Sequence, residues 1–422
     1  MRSKLSAAIA TGLVLLGGLG LTTAPLAPAA AASAKGKPAG PKLNPKVLKP
    51  LQAALEFEKA GKYPEAAEQL KIADAVPDKT PFEQFQVDEL VGFIAVKQKQ
   101  WNEAAVAYDR NLASGLLPPE QVNDRLRLLS QLYLQTEPKD LAKSGAYAKR
   151  WLEGTGTRDP AMLGLVGQSA YFGNNPGEAA TYMKEAAEAR VAAGGKPEEN
   201  WLLILQSSYS KLKNSPGIAD ATTELVRYYP KPEHWQTMKS ALLGQAAGKD
   251  RQILQAFRLL YQADAMTEAD DFTEAASAAT LLGSPGEALK FMEKGFASGV
   301  LETSGDKAKS KALLDESRRL ATADQKSLGQ FEKEAAAAKA GEADVRLGEA
   351  YLSYDQPAKG LAAIQRGIGK GGVKNSDEAN LALGRAYILT KDYAGAAKAF
   401  GEVKAPEYAR LAQLWTIYAG QQ

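Results

Sequence analysis

The sequence predicts an all-α fold in which about nine helical hairpins stack into a solenoid, capped by a final helix. Three observations predict it. From Pro50 onward apolar residues recur at helical spacing, broken about every fifteen residues by Gly, Pro, Asn or Asp, with no run of alternating β-branched residues. Two segments are near copies of each other, Asn175-Pro-Gly-Glu-Ala-Ala-Thr-Tyr-Met183 and Ser284-Pro-Gly-Glu-Ala-Leu-Lys-Phe-Met292. Small and large residues return at fixed offsets within a unit of about 36 residues.

The amino terminus comes first in the chain. Arg2 and Lys4 precede seventeen uncharged, mostly apolar residues from Leu5 to Leu21, and an alanine run follows Pro25 and Pro28. This is the pattern of a cleavable signal peptide over residues 1–34, with Ala32 and Ala34 placing cleavage near Lys35 and Ala30 with Ala32 offering a second site. Glycines at 12, 17, 18 and 20 weaken the alternative of an uncleaved membrane anchor. Residues 35–49 carry lysines and prolines with little to bury and read as an extended tether.

The repeats occupy residues 50–405. Pro176 and Pro285 are 109 residues apart, Pro285 and Pro357 are 72 apart, and Pro64 and Pro176 are 112 apart, all close to multiples of 36. Each such proline suits the first turn of a helix, where its missing N–H is not needed, and Asn175, Ser215 and Ser284 are placed to cap. Within the units, Gly384, Tyr387, Ala396 and Phe400 stand at offsets 0, +3, +12 and +16. The same offsets hold Gly348, Tyr351, Gly360 and Ile364; Ala54, Phe57, Ala66 and Leu70; and Gly92, Ala95, Ala104 and Tyr108. Gly167, Ala170, Ala179 and Met183, and then Ala276, Ala279, Ala288 and Met292, complete the set. Small residues at 0 and +12 let two antiparallel helices approach, and large ones at +3 and +16 fill the space between neighbours. One such pair cannot bury its own apolar face, so the pairs must stack.

Three stretches keep the spacing but lose the small-residue signature: 125–152, 233–264 and 307–339. A helical pair is expected in each. Residues 406–422 form the last element, a capping helix that presents Leu411, Leu414, Trp415 and Tyr418.

Small-x-x-Tyr on a first helix, followed by Ala and an aromatic or aliphatic residue on a second, resembles the tetratricopeptide repeat (TPR). Trp201 and Tyr229-Pro230 stand where that family carries a tryptophan and a helix-ending proline. The resemblance covers roughly residues 50–405 and is clearest over 342–373 and 376–404, although the period here is longer than the family's 34. It implies a right-handed superhelical solenoid whose first helices line a concave groove. Carried onto this chain, the exposed groove positions are Phe93, Lys97, Gln168, Tyr171, Phe172, Arg346, Glu349, Arg385 and also Leu389. The Lys/Asn set by which some TPR proteins clamp a peptide carboxylate is absent in that arrangement.

Composition narrows the chemistry. There is no cysteine, which excludes disulfides, thiol nucleophiles, thiolate metal sites and a lipoprotein anchor on cysteine. His234 is the only histidine, so a histidine-rich metal cluster is excluded, and its aromatic setting reads as packing rather than catalysis. The net charge of +3 falls to +1 once Arg2 and Lys4 are removed, which gives no argument for nucleic acid. Gly367-Ile-Gly-Lys-Gly-Gly372 lacks the glycine and hydroxyl positions of a phosphate cradle and reads as an inter-repeat loop. Glu268, Asp270, Asp271 and Glu274 read as a helix start, with Thr267 and Asp270 at capping-box spacing. The basic run Lys307, Lys309, Lys311, Arg318 and Arg319 is interleaved with acids and reads as a solvated helix face.

These readings lead to an exported, non-enzymatic TPR scaffold without cofactor or metal, binding a protein or peptide partner in the periplasm, with secretion as the alternative compartment. Envelope-assembly and TonB-type machines are the settings the resemblance implies, the latter from Gln413-Leu-Trp-Thr-Ile-Tyr418. An envelope glycan-cleaving enzyme and a small-ligand binding protein are the competing classes. The first needs a carboxylate pair in a cleft, the second a closed pocket.

Overall fold

The computed structural model describes residues 43–422. The expected signal peptide, and the tether up to residue 42, lie outside the described residues. Among these, the regular elements are twenty α-helices, and the chain forms two compact units that divide between Ile218 and Ala219.

The first unit contains α1 (Pro45–Lys59) and α2 (Tyr63–Asp74), α3 (Pro81–Lys97) and α4 (Trp101–Ala113), α5 (Pro119–Leu132) and α6 (Leu141–Thr155), then α7 (Pro160–Phe172) and α8 (Pro176–Ala192). It ends with α9 (Glu199–Lys211) and the start of α10 (Ser215–Tyr228). Helix α1 begins inside the stretch expected as tether. The Asn44 side chain accepts from the Lys46 N–H, Pro45 occupies the first turn, and Val47 and Leu51 are buried, so five residues of the lysine/proline segment belong to the repeat array.

The second unit holds α11 (Pro232–Gln245), α12 (Asp250–Gln262), α13 (Ala269–Leu281), α14 (Pro285–Ala297) and α15 (Lys307–Ala337). It continues through α16 (Glu342–Ser353), α17 (Pro357–Lys370), α18 (Ser376–Leu389), α19 (Tyr393–Gly401) and α20 (Pro406–Ala419). Consecutive helices pair into four hairpins in the first unit, α1/α2 to α7/α8, and four in the second, α11/α12, α13/α14, α16/α17 and α18/α19, while α15 and α20 stand alone. Of the three stretches with weak signatures, 125–152 and 233–264 do contain the expected pairs. The third does not: α15 is a single helix of 31 residues. Its sequence offers no breaker, because Gly329, its one glycine, sits outside the left-handed region and no proline occurs. Its buried residues Ser310, Ser317, Leu328 and Ala335 fall on a narrow stripe, which suits one long helix lying against its neighbours.

The repeat offsets have a direct physical basis. A methyl on Gly384 would come within 2.3 Å of the Phe400 ring, and one on Gly348 within 2.4 Å of Ile364. The same holds for Gly92 with Tyr108 at 2.6 Å and Gly167 with Met183 at 3.0 Å. Offset 0 therefore receives the +16 side chain of its own hairpin. The turns follow a rule that the sequence reading did not use. The residue at +7 has positive φ in six hairpins: Gly61, Lys99, Asn174, Gly283, Asp355 and Lys391. The next N–H returns to the carbonyl at +3, as in Asn175 to Ala170 and Asp392 to Tyr387, both at 2.8 Å. This is a Schellman closure, made here by Gly, Asn and Asp and also by Lys99 and Lys391, which ends one helix and starts the next. Capping follows in part: Asn175 accepts from the Glu178 N–H, but Asn214 rather than Ser215 caps α10, and Ser284 makes no capping bond.

The glycine segment expected as a loop is mostly helix. Gly367 to Lys370 form the last turn of α17, and only Gly371 and Gly372 leave it, with φ of 71° and 67°. A methyl on Gly341 would stand 1.7 Å from the Gly367 carbonyl oxygen, and one on Gly367 2.6 Å from the Gly341 carbonyl oxygen, so this pair of glycines allows backbone contact between the end of α17 and the start of α16.

Helix α20 buries Leu411, Leu414 and Trp415 and stacks Trp415 on Phe400 at 5.6 Å. It also returns to the beginning of its own unit. Arg410 donates to Asp220 at 2.8 Å and Thr223 at 3.0 Å, and Gln421 donates to the Val226 carbonyl at 2.8 Å. One apolar cluster accordingly runs from Val226 and Trp235 through Phe257 and Phe272 to Phe400 and Trp415.

Candidate functional site

Phe93 and Lys97 lie at the end of α3. Phe93 is half-buried against the core of the first hairpins, and the Lys97 ammonium stands 5.1 Å from its ring centroid. Gln168, Tyr171 and Phe172 occupy the corresponding end of α7. Tyr171 is half-buried, while Phe172 is 50% exposed and meets it edge to face at 5.5 Å.

The adjacent first helix, α9, completes this cluster. Ser207 Oγ and the Tyr171 hydroxyl are 2.8 Å apart, and the Lys211 ammonium lies 4.1 Å from the Tyr171 ring centroid. Ser207 and Lys211 are residues the sequence reading missed. They stand at +1 and +5 of a unit whose offset 0 is Gln206, positions equivalent to Gln168 and Phe172, but Ile218 and Thr222 replace the small and large residues at +12 and +16. The turn residue Lys213, with φ of 56°, is the signal that sets the register. The result is an aromatic ledge with a cation over one ring and an apolar ring open to solvent, suited to an aliphatic or aromatic side chain and a nearby acceptor.

The positions in the second unit behave differently. Arg346 is exposed and pairs with Glu342 at 3.1 Å. Arg385 is buried: its Nη2 donates to Glu287 at 2.6 Å and its Nη1 is 3.6 Å from Glu349. Arg258 joins them, donating to Glu287 at 2.7 Å and pairing with Glu349 at 2.8 Å. Two guanidinium groups and two carboxylates from α12, α14, α16 and α18 thus form one internal quartet. Burial pushes the Glu287 carboxyl up, but Arg258 and Arg385 outweigh it and hold it at about 2. Glu287 belongs to the repeated Pro-Gly-Glu motif. Its counterpart Glu178 is a half-exposed partner of Lys149 at 2.7 Å, so the motif alone does not distinguish the two roles.

The remaining groups are structural. The capping box at the start of α13 is one residue later than expected, and Asp271 accepts from the N–H groups of Thr267 and Glu268 at 2.9 and 3.0 Å. The Lys239 ammonium reaches Asp271 and Glu268, both at 2.9 Å. His234 is buried in the first turn of α11. Lys307, Lys309, Lys311, Arg318 and Arg319 lie exposed along α15, with Arg319 held by Glu316 at 2.7 Å. Asp109 ties α4, α5 and α6 together by accepting from Tyr133 at 2.7 Å, from Lys143 at 2.9 Å and from the Tyr147 hydroxyl. Burial raises its pKa, and these donors bring it below the usual value.

Among the described residues no three His, Asp or Glu side chains are grouped to hold a metal ion, and no helix is long and apolar enough to cross a membrane. Antiparallel hairpins, small residues at offset 0 seated under the +16 side chain, and a repeated left-handed turn decide the architecture. The hairpin geometry resembles that of the tetratricopeptide repeat.

No family model and no curated protein matches the sequence. Solved TPR structures are similar to it. The TPR2AB-domain:pHSP90 complex of yeast Sti1 is 14% identical, covers 64% of this chain and 98% of that chain, and has a TM-score of 0.32. A tetratricopeptide repeat protein from Parabacteroides merdae is 15% identical, with 65% and 100% covered and a TM-score of 0.29. The C-terminal part of a TPR repeat-containing protein from Cytophaga hutchinsonii is 14% identical, with 63% and 99% covered and a TM-score of 0.32.

Proposed function

We propose that this protein is an exported, non-enzymatic TPR scaffold that holds a peptide segment or folded partner in the cell envelope. The observation that carries the reading is the ledge formed by Tyr171 and Phe172 of α7 with Ser207 and Lys211 of α9. A large aromatic side chain left half exposed beside a second ring and a cation is an anchor point for a partner side chain, at little conformational cost to the scaffold. The leader pattern of residues 1–34 supports export, and the periplasm is the compartment we assign. The non-enzymatic part of the reading draws on Asp271, the strongest carboxylate candidate for acid/base work, which is engaged by Lys239 and by two backbone N–H groups at a helix start.

The test is photocrosslinking in cells from position 172, with Lys184 on the second helix of the same hairpin as the control position, followed by mass spectrometry and reconstitution with the purified partner. One envelope protein captured from 172 and not from 184 is expected. Phe172→Ala with Lys211→Glu should weaken the reconstituted complex about tenfold or more while leaving the melting behaviour nearly unchanged. Undiminished binding by that folded double variant overturns the assignment.

A further inference from the structure

Two deeply buried donor atoms in the second unit make no hydrogen bond, although Arg385 Nη1 keeps an ion pair with Glu349 at 3.6 Å. Arg385 is 8% exposed and commits Nη2 to Glu287, while its Nη1 makes no hydrogen bond. Trp415 is 1% exposed, and its indole Nε1 likewise makes none. Buried N–H groups are almost always satisfied, so an unpartnered pair at one place marks an acceptor yet to be supplied. Both residues line the same cleft, of about 70 Å³, between α12, α14, α16, α18 and α20.

The chemistry of the walls narrows what that acceptor is. Arg258 and Arg385 are balanced by Glu287 and Glu349, and Lys290 at the cleft is paired with Asp355 at 2.5 Å. The site is therefore close to neutral, and a carboxylate brought to Arg385 Nη1 would stand beside Glu349. A neutral carbonyl oxygen satisfies both donors without that repulsion. The rest of the lining sets Phe291, Leu352 and Ile388 beside Tyr261, Gln262 and Ser353, and at the rim Leu389 remains 40% exposed. The cleft is small, with room for a short aliphatic group.

We infer that this cleft is a peptide subsite: it seats one short aliphatic side chain against Phe291, Ile388 and Leu389 and takes the adjoining main-chain carbonyl on Arg385 Nη1 and Trp415 Nε1. The peptide nature of the occupant rests on the scaffold reading above. The site itself rests on the two donors and on charge-balanced walls around Phe291, Leu352 and Ile388.

The test is a titration of the ¹⁵N-labelled full chain, read at the Trp415 indole N–H resonance and assigned by triple-resonance experiments, so that it does not depend on a Trp415 variant folding. The probes are N-acetyl-valinamide and, separately, acetate. A saturable shift with N-acetyl-valinamide, little with acetate, and about tenfold weaker binding in the rim variant Leu389→Asp are expected. No shift with N-acetyl-valinamide means that the donors are met by water alone, and an equal shift with acetate means an anion site. Either result overturns the inference. Capture at position 172 with a silent titration would leave the scaffold reading standing, and a positive titration without capture would leave the subsite standing.

Discussion

Arg385 donates to Glu287 at 2.6 Å although 98 residues separate them in the chain. The bond joins the middle of α18 to the first turn of α14, and through the other Glu287 oxygen it reaches Arg258 of α12 at 2.7 Å. Charges buried to this extent persist only when paired and hydrogen-bonded, so removing any one member strands the others.

Glu287→Ala leaves two guanidinium groups buried with Glu349 as their only carboxylate in the quartet. The expected loss is about 3–5 kcal/mol, confined to the second unit. Hydrogen exchange read by peptide should show faster exchange in α12, α14 and α18 and unchanged protection in α1 to α9. A loss below about 1 kcal/mol would mean that the quartet behaves as a solvated surface network.

The same residue sets an acid response. Glu287 is held at about 2 in the folded chain against 4.5 for an ordinary glutamate. Its folded pKa is depressed, so its contribution is fully present above pH 4.5 and is lost as the pH falls from there toward 2. The amount at stake is on the order of 3 kcal/mol. Denaturant melts between pH 6 and 2 should show the second unit weakening across that window. In Glu287→Gln, which cannot titrate, the slope should be shallower, and equal slopes for the two proteins would remove Glu287 as the cause.

Gly384 lies beneath the Phe400 ring, and the 2.3 Å approach leaves no room for a methyl group. Gly384→Ala should cost about 1–3 kcal/mol by overpacking. Because the neighbour is a side chain and not backbone, Phe400→Leu in the same protein should recover part of that cost. Additive losses in the double variant, measured in a double-mutant cycle, would show that the two residues are not coupled.

Much of the hairpin architecture was legible because its causes are local. Gly348 and Ile364, or Gly384 and Phe400, are 16 residues apart, and the contact that explains their spacing lies within one pair of helices. The missed features have two kinds of cause. Ser207 and Lys211 escaped because Gln206, Ile218 and Thr222 break the small-residue signature while the turn at Lys213 keeps the register. The spacing of its neighbours predicts a pair at helix α15, but its own residues supply no turn to end a helix at its centre.

The sequence by itself determined an all-α chain of hairpins, the faces on which Tyr171 and Phe172 fall, and the absence of thiol or histidine-rich chemistry, since these depend on residue type and on spacings of a few turns. Only the tertiary structure decided that Arg385 turns inward to Glu287, that Trp415 and Arg385 share one cleft, and that Arg410 and Gln421 of the carboxyl-terminal segment reach back to α10. The reason is physical: helical pairing is set by side chains one or two turns apart, whereas contacts between residues about a hundred or more positions apart depend on small crossing angles accumulated over every intervening helix.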